Sequence, residues 1–195
     1  MGRTDRTAAR RIELLALGKR LFAERPFADV SAELIAREGG ISAGLVYHYF
    51  GDKRGFYLAT LESSADELLG VLALPDSGVE AGLAGVPAML DRFLEFVGRQ
   101  PALFRGVLRG GTGGDLEAHA VAARVRQEVL CRCFEAAGRS GGIGDATPAE
   151  RLEAYAWVGG VEAAALRWVD TREVDRATVA RLCVRLLPSF FLEVR

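Results

Sequence analysis

The sequence is poor in the residues that most enzymes and metal proteins need. Among 195 residues there are two histidines, three cysteines, two tryptophans and two methionines. Two histidines supply little acid–base equipment, and no Ser/His/Asp set or paired-carboxylate motif stands beside them. An odd number of cysteines makes no disulfide framework, and Cys131 and Cys133, two apart on a helix, face different ways. They are expected to be reduced thiols, with no metal site and no cofactor. No apolar run approaches the roughly eighteen residues that mark a membrane span. The opening Met1-Gly2-Arg3-Thr4-Asp5-Arg6 lacks the apolar stretch of a secretory signal, and Arg6 breaks the myristoylation pattern. These absences point to a cytoplasmic chain. The glycine-rich run 110–114 has neither the strand-then-helix setting nor the Lys-Ser/Thr ending of a nucleotide loop.

Half of the sequence is hydrophobic, enough for a sizeable core, yet no segment alternates as a strand does. The fold class expected is therefore all-α. Charge is uneven although the net value is only -1. Residues 1–60 carry ten Lys/Arg against seven Asp/Glu, a surplus of three positive charges; residues 61–195 carry fifteen against nineteen, a surplus of four negative ones. Arg3, Arg6, Arg10 and Arg11 crowd the first eleven positions, so a polyanion is expected at one end of the molecule only.

Helical periodicity over 7–24 lines up Ile12, Leu15, Ala16, Lys19 and Phe22, with Leu14, Leu17 and Leu21 widening the apolar face, and Pro26 ends that helix. Ser31 is expected to cap a short helix over 32–38, stopped by Gly39-Gly40, and Ser42 to cap another over 43–49. Gly51-Asp52 breaks the chain again, and a long fourth helix runs from Lys53 to about Leu74. The turn cluster Pro75-Asp76-Ser77-Gly78 precedes a fifth helix, kinked at Pro87, that reaches Arg99. A sixth begins at Pro101 and a seventh covers 115–138. Thr147-Pro148-Ala149-Glu150 spells a capping box for an eighth helix to about Val169. A ninth occupies 175–192, bent at Pro188.

Two helices of about seven residues joined by Gly39-Gly40-Ile41-Ser42 form a helix-turn-helix, a unit that sets its second helix in the DNA major groove. Ile35, Ala36, Ile41, Val46 and Phe50 can close its core with Phe22. Ser42, Ala43, Gly44, Leu45, Tyr47, His48 and Tyr49 then remain near the surface. The hydroxyls and His48 can serve phosphates or bases; Ala43 and Leu45 can only touch thymine methyls, which shifts weight to Tyr47, His48 and DNA shape. Lys53 opposes the positive end of the fourth helix, which makes sense where a phosphate sits on that end.

On Ile12, Phe22, Ile35-Ala36, Ile41-Ser42, Gly44, Tyr47-His48-Tyr49-Phe50 and Lys53, residues 7–57 resemble the DNA-binding domain of tetracycline-repressor (TetR) family regulators. The resemblance implies that Tyr47 and Lys53 hold phosphates, that 42–48 read bases, and that the N-terminal arm lies along the minor groove. Arg3, Arg6, Arg10 and Ser31 join that set. It further implies a homodimer formed by helices eight and nine, as a four-helix bundle, and a ligand pocket in the C-terminal helices. The domains expected are 1–52 for DNA, with a basic arm over 1–11, and 53–195 for ligand and dimerisation.

The aromatic and apolar residues of the C-terminal part supply the expected pocket: Met89, Phe93, Phe96, Phe104, Leu108, His119, Phe134, Tyr155, Trp157 and Trp168. As a set they favour a hydrophobic effector. The reading is a ligand-responsive, DNA-binding repressor of palindromic operators, not an enzyme, with double-stranded DNA and a small molecule as partners. Its alternative is a small-molecule binding protein or enzyme with a vestigial helix-turn-helix.

Overall fold

A computed structural model describes residues 3–72, 85–108, 116–137 and 141–191. Among these there are nine α-helices, short 3-10 turns and no strand. The helices are α1 (Arg3–Glu24), α2 (Ala32–Gly39), α3 (Ala43–Phe50), α4 (Lys53–Val71), α5 (Val86–Arg99), α6 (Pro101–Leu108), α7 (Leu116–Ala136), α8 (Pro148–Thr171) and α9 (Arg176–Arg185).

Local chemistry fixes most of the boundaries. Asp52 accepts from the Gly55 N–H at 2.7 Å and so starts α4. At α8 the capping box is complete: Thr147 Oγ1 accepts from the Glu150 N–H at 3.2 Å, and Glu150 Oε2 accepts from the Thr147 N–H at 2.6 Å. Asp175 caps α9 by accepting from the Thr178 N–H at 2.6 Å, and that bond, with Thr178's side chain, holds its carboxyl below the usual range.

Four expectations are corrected. The helix expected from residue 7 already begins at Arg3, because the arginines and alanines of the expected basic arm are good helix formers. Ile12 is 69 % exposed, since Leu14, Leu15, Leu17, Leu21 and Phe22 take the inward face of α1. Pro87 makes no mid-helix kink: it is the second residue of α5, where its missing N–H costs no helical bond. Helix α9 ends at Arg185, and Pro188 leads into a 3-10 turn over Ser189–Phe191, because proline cannot continue the hydrogen-bond ladder. The end of helix four at Leu74, the turn 75–78, the glycine run 110–114 and the tail from 192 lie outside the described residues.

Packing divides the chain into two compact units, Met1–Asp66 with Gln100–Ala122, and Glu67–Arg99 with Ala123–Arg195. In the first, α1 lies against α2 and α6, and α2 against α3. Phe22, Ile35, Val46 and Phe56 are fully buried there, and Phe22 meets Tyr57 edge-on at 4.9 Å. Gly18 lets α1 approach α4, because a β-carbon on it would lie 2.3 Å from Thr60 Oγ1. In the second unit α5 packs on α8 and α9 around Leu94, Val97, Ala154, Ala165 and Cys183. Arg176 ties α9 to α5 through Asp91 at 2.8 Å. The C-terminal carbonyls of α4 are also held in this unit. Arg132 donates to Leu69 O at 2.6 Å and Arg92 to Val71 O at 2.7 Å, two cations at the negative end of the helix dipole.

Candidate nucleic-acid interface and ligand cavity

The helix-turn-helix is built by two serine caps and one left-handed glycine. Ser31 Oγ accepts from the Leu34 N–H at 3.1 Å and Ser42 Oγ from the Leu45 N–H at 3.3 Å. Between them Gly40 takes φ +60°, the left-handed conformation that closes α2. Glu33, in the first turn of α2, has its carboxyl held below the usual range by its own backbone N–H and then by Ser31.

Val46 is the inward anchor of α3 and is fully buried. The 3.6-residue period then settles the rest of that helix. Gly44, Tyr47 and His48 face solvent with Ser42, while Ala43, Leu45 and Tyr49 are half-buried. Tyr47 is 48 % exposed, so its hydroxyl and much of its ring are available. His48 and Tyr49 meet edge to face at 5.7 Å, which orients both rings. Ile41 and Phe50, expected in the core, are half-buried at its margin.

Lys53 is half-buried, and its ammonium lies over the Phe27 ring. Arg6 is exposed. Arg10 donates to Gly39 O at 2.8 Å and to Glu13 at 2.6 Å, so it also satisfies a carbonyl at the end of α2. Arg11 lies 5.5 Å from the centre of the Phe50 ring. The side chain of Arg3 lies outside the described residues.

The second unit contains a hollow that opens to solvent. Leu68 of α4 and Leu72 just past its end line it, with Met89, Leu90 and Phe93 of α5. Val125, Arg126 and Val129 of α7 form another wall, and Trp157, Val158, Val161 and Glu162 of α8 complete it. The Trp157 N–H is spent on Cys183 O at 3.0 Å, so the indole offers the hollow carbon only. Polarity is confined to one pair. Arg126 Nε donates to Glu162 Oε1 at 2.8 Å and Nη2 to Oε2 at 3.0 Å, a two-pronged ion pair.

Comparison with known proteins agrees with this architecture. Residues 14–60 match the model of bacterial regulatory proteins of the tetR family, and residues 85–191 match the tetracyclin repressor-like C-terminal domain. The second match alone spans more than half of the chain. The chain belongs to the TetR family. It is thus a DNA-binding transcriptional regulator of that fold. A tetR-family transcriptional regulator from Streptomyces coelicolor is 29 % identical, with a TM-score of 0.80 over 95 % of this chain and 80 % of that one. A TetR-like regulator from Rhodococcus sp. RHA1 is 24 % identical, with a TM-score of 0.67 over 92 % and 93 % of the two chains. FadR from Bacillus subtilis, solved in complex with stearoyl-CoA, shares the fold at 14 % identity, with a TM-score of 0.70 over 92 % and 98 %.

Of the ten residues expected at a pocket in this TetR-family chain, the hollow brings together Met89, Phe93 and Trp157. Phe96 is buried without lining it. Phe134 packs edge-on against Phe191 at 4.9 Å. The Trp168 N–H donates to Val174 O at 3.1 Å, and Arg172 stacks on its ring. Tyr155 is exposed and its hydroxyl donates to Gln127 at 2.7 Å. Phe104, Leu108 and His119 belong to the first unit, and His119 is exposed. Aromatic content singled out these residues, but an aromatic ring fills a core as readily as it lines a hollow. The pair Arg126–Glu162 went unrecognised. Its signal was a charge set among valines on each helix, Val125 and Val129 around Arg126, Val158 and Val161 around Glu162.

An outward face of small and apolar residues runs along α8. Leu152 is 73 % exposed, and Tyr155, Ala156, Gly159 and Ala163 follow it at helical spacing. A β-carbon on Gly159 or Gly160 would meet nothing within 4 Å. Leu182 on α9 and Leu186, which caps its C-terminus, are exposed as well. Among the described residues no helix is long and apolar enough to cross a membrane.

Proposed function

We propose that this regulator is a homodimeric repressor of palindromic operators, released from DNA by a small, largely apolar ligand. The observation that carries the reading is the α3 surface: Val46 is buried, so Tyr47 and His48 are presented outward beside the Lys53 cation. Such a helix fits the major groove, with Ser42, Ala43, Gly44, Leu45, Tyr47 and His48 toward base edges and Tyr47 and Lys53 toward phosphates. Ser31 and Tyr49 add phosphate contacts, and Arg3, Arg6 and Arg10 lie along the adjoining groove as part of α1.

We assign DNA binding to residues 1–52 and ligand binding and dimerisation to 53–195. The apolar hollow supports the ligand assignment, and the exposed faces of α8 and α9 support pairing of two copies. Two recognition helices would then sit about 34–36 Å apart, one turn of DNA. The Bacillus subtilis FadR of the same fold holds stearoyl-CoA, of which the stearoyl chain, not the anionic CoA, is the apolar part. A ligand in the hollow touches Leu68 of α4, the helix that begins at Lys53, and Leu72 just past its end. Complete release, from 1:99 to 99:1, needs about 5.5 kcal/mol of differential binding between the two conformations.

Selection of genomic DNA fragments by the full-length protein, followed by gel shift on the recovered sites, tests the proposal. Recovery of a two-fold symmetric sequence bound by a dimer supports it. Failure to retain any fragment at low salt, together with turnover of a small molecule, would replace it by the reading in which the helix-turn-helix is vestigial.

A further inference from the structure

The hollow joins a wall of carbon to a single, internally neutral ion pair. Ten of its twelve lining residues are apolar, and the only charges among the twelve are Arg126 and Glu162. Both are largely shielded, with side-chain exposures of 27 % and 18 %. Each charge is already matched by the other through two hydrogen bonds. A ligand that brings a net charge here gains no free counter-charge. It must leave water for an apolar wall or break a two-pronged pair to find a partner, and either course is costly. An uncharged polar group meets no such penalty. The pair uses Nε and Nη2 of Arg126, so its Nη1 remains to donate to a neutral acceptor such as a carbonyl.

We propose that the effector is an uncharged amphiphile: an apolar body against Met89, Phe93 and Trp157, with a neutral hydrogen-bond acceptor at Arg126. The Arg126–Glu162 pair is the filter that turns away acids and amines of the same shape. This inference rests on the hollow being the ligand site.

Octanamide, octanoate and octylammonium at pH 7 provide probes of nearly equal size that differ in charge. Their binding to the full-length protein is read by calorimetry and by tryptophan fluorescence. Wild type is expected to bind octanamide, with octanoate and octylammonium weaker by about tenfold or more. Glu162→Gln frees the Arg126 charge and should bring octanoate to at least the affinity of the amide. Arg126→Gln frees Glu162 and should do the same for octylammonium. The reversed pair Arg126→Glu/Glu162→Arg restores neutrality and should restore the wild-type order, which separates the effect of charge from damage to the fold. The inference is overturned if wild type binds octanoate or octylammonium as well as the amide, or if the single variants keep the wild-type order; the ligand site itself then stands. Absence of binding by every probe to every folded variant overturns the inference and the assignment of the hollow together.

Discussion

The Lys53 ammonium sits 4.1 Å from the centre of the Phe27 ring. Phe27 belongs to a 3-10 turn ahead of α2 and packs on Tyr57 at 5.0 Å, so the ring is itself fixed. A cation at a helix start opposes the macrodipole, and the ring face offsets part of that cost while holding the charge in place.

From this geometry Lys53→Gln is expected to weaken binding to specific and random DNA alike. It should reduce the slope of log affinity against log salt by about one per protomer, about two for a bound dimer, the signature of one lost phosphate contact in each copy. Phe27→Leu keeps the charge but removes its platform, so a smaller loss with the wild-type salt slope is expected. Titration of labelled operator and of scrambled duplex over a salt series reads both. A Lys53→Gln slope equal to wild type would remove Lys53 from the interface.

Tyr47 tests the reading face itself. It is half exposed while its neighbour Val46 takes the buried face, so truncation should leave folding intact. Tyr47→Ala is expected to cost about 1–3 kcal/mol on the selected operator. Circular dichroism and operator affinity measured on one preparation decide the matter. Wild-type affinity in a folded variant would count against the docking of α3.

The closeness of α1 and α4 gives a stability prediction. A methyl on Gly18 would meet Thr60 Oγ1 at 2.3 Å and Phe56 Cζ at 2.9 Å, and Thr60 is pinned because its hydroxyl donates to Phe56 O at 2.8 Å. Gly18→Ala should therefore destabilise the first unit by about 1–3 kcal/mol through overpacking. Adding Thr60→Ala should recover part of the loss, a non-additivity that denaturant melts of the four proteins would reveal.

The sequence made the reading head legible because its determinants are local. Ser31, Gly40, Ser42 and Asp52 each act within about four residues of chain, so caps and turns can be named before any packing is known. Buried Val46 follows from the same period. The hollow was less legible because its walls come from four helices separated by up to 94 residues, Leu68 to Glu162. Nothing local distinguishes Phe93, which lines it, from Phe96, which does not. Ile12 was misjudged for a related reason: a leucine-rich helix has more apolar residues than inward positions, and only packing chooses among them.

The exposed leucines at the C-terminal end of α9 predict the assembly. Leu182 and Leu186 lie one turn apart and face solvent in a single chain, beside the small-residue face of α8. Leu182→Glu with Leu186→Glu should leave the helix intact and set like charges against each other wherever two copies meet here. Light scattering is expected to show a monomer, and operator affinity should fall by much more than affinity for a half-site. A double variant that stays dimeric would move the interface elsewhere.

Two of the three thiols are predicted to be silent. Cys133 is fully buried, and burial pushes its thiol up to about 12; Cys183 is buried too and is raised for the same reason. Cys131 is half-buried, with Gln127 donating to its sulfur at 3.8 Å. Iodoacetamide at pH 8 should label Cys131 in the native protein and all three only in denaturant, as intact mass would show. The raised thiol also carries a pH dependence whose sign is fixed. Below its unfolded value near 9.0 both states keep the proton and stability is unaffected. Above it the unfolded chain loses the proton first, so stability declines as pH climbs from about 9 towards 12. Cys133→Ala removes that linkage, and its denaturation midpoint should fall less steeply over the same range. Rapid native labelling at Cys133 would contradict the burial on which both expectations depend.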